Sequence, residues 1–80
     1  MSHTILAEMV ATVWKVVAKP GDVVGPDDTL VILESMKMEI PIAAEVAGTI
    51  SEIAVAEGDS IDEGGKIAVI SINPGVASPN

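Results

Sequence analysis

The apolar positions of this chain fall in short runs that alternate with polar positions, and the runs are punctuated by glycine, proline and aspartate. Such runs mark strands, because alternate residues of a strand face opposite sides and β-branched side chains suit a pleated surface. The pattern predicts long strands over Val10–Val17, Thr29–Glu34, Val46–Val55 and Lys66–Ile72, with short apolar steps at Val23-Val24 and Ile61. Pro20-Gly21-Asp22 and Glu57-Gly58-Asp59 are the sharpest turn signals. Glycine supplies a positive φ at no steric cost, and aspartate can accept a bond from its own backbone.

The pattern also repeats. From Gly21-Asp22 to Gly58-Asp59 the offset is 37 residues, and it holds without a gap from Glu8–Glu34 to Glu45–Ser71. Leu30-Val31-Ile32-Leu33 falls on Ile67-Ala68-Val69-Ile70, and Val13 and Val16 fall on Ile50 and Ile53. Each half reads as strand, turn, apolar step, polar loop and strand. Neither half can bury an apolar face alone, but two packed face to face can, so the expected fold is all-β: a flattened antiparallel barrel or sandwich of two quasi-twofold-related four-stranded sheets. The expected domain is 1–72, with 73–80 a flexible tail.

Between the halves, Thr29–Ala44 contains no glycine. Its sixteen residues, fully extended, would reach roughly 53 Å, well beyond the roughly 30 Å diameter of a domain this small. The segment must fold back. A two-residue turn at Met36-Lys37 sets Leu33 opposite Ile40 and Val31 opposite Ile42, all on one face, with Met38 on the face of Ile40. It also sets Glu34 opposite Glu39, a like-charge pair that weakens a hairpin, and it uses residues that are poor turn formers. Local stability does not explain ESMKME, so these residues are candidates for function.

Composition narrows the choices. Eighty residues make one small domain with no cysteine for disulfides or thiolate metal sites, so packing must stabilise it. The formal net charge of −8, from twelve acidic residues and four lysines, repels nucleic acid and anionic membranes. No signal segment or membrane-length apolar run is present, and the expected location is cytoplasmic. His3 reads as part of a frayed start, and Trp14, the single aromatic, as a packed or half-packed strand residue. No acidic pair has catalytic spacing, and the glycines lead into no helix that would cradle a phosphate.

Met36-Lys37-Met38, with Glu34 before it and Glu39 after it, resembles the attachment motif of the biotinyl/lipoyl-attachment domain family. The likeness spans roughly Thr4–Ile72. It implies the biotinyl/lipoyl fold, here with no room for a thumb insertion, and a non-catalytic carrier similar to free-standing biotin carboxyl carrier-like proteins. By the same resemblance Lys37 takes biotin in amide linkage from a biotin protein ligase. Met36 and Met38 aid recognition, with Glu34 and Glu39 as further candidates. The arm then carries a carboxyl group between a biotin carboxylase and a carboxyltransferase, and the isolated chain is a monomer.

Two other readings stay open: a lipoyl carrier of the same fold, and an unmodified interaction module. Lipoyl lysines usually follow an acidic or small residue, so the methionines favour biotin, and unmodified modules commonly lack the lysine. Without its neighbours Lys37 would read as a solvated hairpin residue, while Met38 could equally serve packing.

Overall fold

The computed structural model describes residues 1–72, and the apolar runs become eight strands with no helix among the described residues. They are β1 (Ser2–Leu6), β2 (Ala11–Val16), β3 (Val23–Val24), β4 (Thr29–Ser35), β5 (Met38–Ala43), β6 (Gly48–Ile53), β7 (Ser60–Ile61) and β8 (Lys66–Ser71). The tail expected over 73–80 lies outside the described residues. Two antiparallel sheets form, ordered β1-β8-β6-β3 and β5-β4-β2-β7. The expected sandwich is therefore present, but neither sheet is one half of the repeat.

The short strands exchange partners. β3, from the first half, pairs with β6 of the second, whereas β7 pairs with β2. The turns lock the exchange: Gly21 N donates to Ile50 O at 2.8 Å, and Gly58 N donates to Val13 O at 2.8 Å. Each turn also closes on itself, since Asp22 accepts from Lys19 N at 3.1 Å and Asp59 accepts from Ala56 N at 2.9 Å. Gly21 and Gly58 have φ of 96° and 95°, the left-handed region that penalises a β-branched side chain. Gly21→Val and Gly58→Val should each lower the unfolding free energy by about 1–3 kcal/mol in urea melts, and unchanged midpoints for both would contradict this account of the turns.

The repeat extends to the irregularities. Register shifts at Trp14 and at Ser51 sit 37 residues apart, as do those at Leu30 and Ile67. A bulge lets two consecutive side chains turn inward, and Leu30, Val31, Ile67 and Ala68 are all fully buried. With Val13, Leu33, Ile50 and Ile70 they form the centre of a purely aliphatic core, and no buried polar side chain interrupts it among the described residues.

The chain start corrects the expectation of fraying. β1 pairs along its length with β8, His3 lies opposite Ile70, and His3 Nε2 is 3.0 Å from Glu45 Oε1. β1 thus does for the second half what β5 does for the first. Its backbone pairing stabilises a segment whose sequence, with Ser2, His3 and Thr4 before Ile5, carries little strand signal.

Candidate functional site

β4 and β5 form the longest hairpin, and its register is the one the sequence implies: Val31 opposite Ile42, Leu33 opposite Ile40, Glu34 opposite Glu39, and Ser35 opposite Met38. The tip is Met36-Lys37. Both residues have positive φ, 53° and 66°, the combination required by a type I′ turn whose twist matches the strands it joins. For residues other than glycine, asparagine and aspartate that conformation is costly. The buried feet of the hairpin, Val31 and Leu33, hold the register and so impose the conformation on the tip.

The strain is testable. Met36→Asn should raise the unfolding free energy by about 0.5–1 kcal/mol, because asparagine accepts the left-handed region. A urea midpoint that falls instead would show that Met36 contributes packing its exposure does not suggest.

Lys37 is exposed at the tip and forms no ion pair among the described residues. Met36 is 92% exposed and Met38 61%. Unpaired with any core residue, Met38 has little packing role, although it shares the side of β5 that carries Ile40 and Ile42. Glu34 and Glu39 are exposed on the opposite side of the hairpin. The tip therefore offers one primary amine on a raised, acidic-flanked and thioether-lined support. A lysine ammonium must lose a proton before it can attack an acyl group, and nothing at the tip is placed to remove it. The arrangement suits a lysine acylated by another enzyme and then displayed to partners.

Three features near the tip were not legible in the sequence. Ser35 Oγ donates to Val10 O at 3.3 Å, which ties the hairpin to the connection between β1 and β2. That connection places Met9, 38% exposed, and Val10 near the same end of the molecule. Glu8 and Met9 line a groove together with Ile40, Pro41 and Ile42 of β5. Ser35 and Val10 are 25 residues apart in the chain, and no periodicity connects the two segments.

On β2, beside the hairpin strand β4 and at the bulge between Val13 and Lys15, Trp14 is 41% exposed, with Lys15 Nζ 5.5 Å from its ring centroid. Lys66 pairs with Glu52 at 3.4 Å. Neither lysine shares the raised, methionine-flanked setting of Lys37.

Fold and tip together define a small β-sandwich that displays one lysine on a strained hairpin. The family model described as "Biotin-requiring enzyme" matches residues 3–70, and the chain belongs to this biotin/lipoyl attachment family. It is 54% identical over 71 residues to a "Biotinylated protein TB7.3 homolog" of Mycobacterium leprae, an alignment that covers 89% of this chain and 100% of that protein. It is 41% identical to a "Biotin/lipoyl attachment protein" of Bacillus subtilis over 85% of this chain and 93% of the relative. Among solved structures, the urea carboxylase of Kluyveromyces lactis superposes with a TM-score of 0.84 at 32% identity, covering 89% of this chain and 6% of that one. The lipoyl domain of the 2-oxoglutarate dehydrogenase complex from Azotobacter vinelandii superposes with a TM-score of 0.73 at 30% identity, over 85% of this chain and 94% of the domain.

Proposed function

We propose that this chain is a cytoplasmic biotin carrier, with biotin held in amide linkage at Lys37. The observation that carries the reading is the tip itself: an exposed lysine between two exposed methionines, held at positive φ on a hairpin of a chain that belongs to the biotin/lipoyl family. Biotin would supply a ureido nitrogen that takes up and releases a carboxyl group. The protein's part is mechanical. The sandwich anchors the hairpin, the hairpin raises Lys37 clear of the core, and the lysine chain adds reach.

The partners follow from that role. A biotin protein ligase would supply the activated carboxyl and accept the lysine proton. A biotin carboxylase and a carboxyltransferase would then receive the arm in turn, while Met36 and Met38 offer a polarizable apolar contact that different partner surfaces can share. Glu34, Glu39 and the net charge of −8 favour basic faces on those partners. The lipoyl reading has the Azotobacter lipoyl domain's shared fold in its favour, but names that refer to biotin predominate among the relatives, and the methionine pair supports biotin.

The test is intact mass after incubation with biotin, ATP and a biotin protein ligase. A gain of one biotin amide supports the reading. Modification by a lipoate ligase instead would transfer the assignment to lipoyl.

A further inference from the structure

The internal repeat gives the molecule two equivalent outer sheet faces, and their side chains make them differ. On the sheet that carries the lysine hairpin, Val31 and Leu33 are buried, so Ile32 between them faces outward, together with its cross-strand partners Pro41 and Lys15. The bulge between Val13 and Lys15 adds Trp14 to that side, with the Lys15 ammonium over its ring. On the other sheet the same register joins Val69 to Thr4 and Glu52, with Ser51 at the bulge. Trp14, Ile32 and Pro41 thus occupy the places that Ser51, Val69 and Thr4 hold at an offset of 37 residues.

The second face is closed on itself. Ser51 Oγ donates to Val69 O at 3.2 Å, and Glu52 pairs with Lys66 at 3.4 Å. Beside the lysine hairpin there is no such closure: an indole, an isoleucine edge and a proline ring form an apolar row across β2, β4 and β5. Carboxylates rim that row. Glu34 and Glu39, exposed and opposite each other, form the next outward row towards the tip, and the Glu57 carboxylate stands beside β2, accepting from Val16 N at 3.2 Å.

We propose that this face is the docking surface for the enzyme that acylates Lys37, through an apolar cleft that receives the Trp14 ring and basic side chains that meet Glu34 and Glu39. The proposal rests on the reading of Lys37 as the biotin acceptor. Ile32 is four residues from Met36, about 13 Å along the strand. A standard protein contact covers about 800 Å² of each partner, a disc of about 16 Å radius, so one contact reaches both the tip and the apolar row. An enzyme that acts on the bare amine must come within one lysine side chain of the tip, whereas one that receives the finished arm can stand off by the arm's full length. The acylating enzyme is therefore the partner whose surface must cover the hairpin's flank. Charge points the same way, because a second copy laid on this face would set Glu34 and Glu39 of two chains of net charge −8 against each other, while a basic rim is attracted. Tryptophan suits the centre of such a contact, where a large ring fills a dry pocket.

The experiment measures steady-state biotinylation by a biotin protein ligase, with biotin and ATP saturating and this protein varied. The variants are Trp14→Ser and Pro41→Thr, which install residue types that the equivalent positions of the other sheet already hold. In Trp14→Ser the KM for the protein should rise about tenfold or more with kcat nearly unchanged, and Pro41→Thr should raise it less. Val23→Ser, which alters an exposed apolar residue of the other sheet, should leave KM where it was. Independently of any substitution, the indole N–H signal of Trp14, the single tryptophan of the labelled chain, should shift or broaden when unlabelled ligase is added. An indole signal that stays in place while the Met36 and Met38 methyls respond, or a KM unchanged in Trp14→Ser, would overturn the docking face and leave the carrier reading intact. A dimer in sedimentation that Trp14→Ser dissociates would give the face to a second copy and overturn the proposal, and no mass gain in the unsubstituted protein would overturn the carrier reading and the docking face together.

Discussion

Lys37→Arg should abolish biotinylation and leave the melting temperature nearly unchanged. Lys37 is exposed at a hairpin tip, so its side chain contributes little buried area to stability. Arginine keeps the charge and meets the same positive φ of 66°, so the turn is strained to the same degree in both proteins. Its guanidinium is a poor nucleophile because it stays protonated. The expected mass gain therefore falls from one biotin to none. Lys15, Lys19 and Lys66 act as internal controls, since none lies between methionines at a hairpin tip. Labelling that persists in Lys37→Arg would place the acceptor elsewhere, and a large drop in melting temperature would show that the lysine is structural.

The largest expected loss of stability comes from the core beneath that tip. Leu33→Ala and Ile70→Ala should each cost about 2–5 kcal/mol, the usual range for truncating a fully buried aliphatic side chain. Both residues are almost completely buried, and they occupy equivalent places in the repeat. A domain of this size has a total stability of about 4–12 kcal/mol, so either change removes a large share of it. The two urea midpoints should fall by comparable amounts. If only one falls, the quasi-twofold core does not distribute its stability as the burial implies. Leu33→Ala has a second consequence that Ile70→Ala lacks, because Leu33 opposes Ile40 at the foot of the lysine hairpin.

Much of the hairpin was legible in the chain. The absence of glycine from Thr29–Ala44, the length that forces a reversal and the matched pairs Leu33/Ile40 and Val31/Ile42 lead to a turn at Met36-Lys37, and that turn is present. The pairing succeeds because strand periodicity is two: only one register buries all four aliphatic residues. The unfavourable Glu34/Glu39 pair and the poor turn residues also have a structural counterpart, a tip held at positive φ by its buried feet.

Other features depended on distance in space. β1 carries little strand signal, and it forms because β8 presents an unpaired edge that β1 completes. The contact of Ser35 with Val10, and the groove that Glu8 and Met9 share with β5, join segments with no pattern in common.

By itself, the sequence determined the all-β class, the repeat of 37 residues, the hairpin register and the prominence of Lys37. Those properties follow from local alternation, turn chemistry and the similarity of the two halves, all carried by residues close together in the chain. Tertiary structure decided that β3 and β7 cross to the opposite halves, that His3 is bridged to Glu45, and that a groove lined by Glu8, Met9 and Ile40 opens beside the lysine hairpin. Strands of two residues can be placed only by the sheet edge that accepts them, and that edge exists only after the two halves have packed.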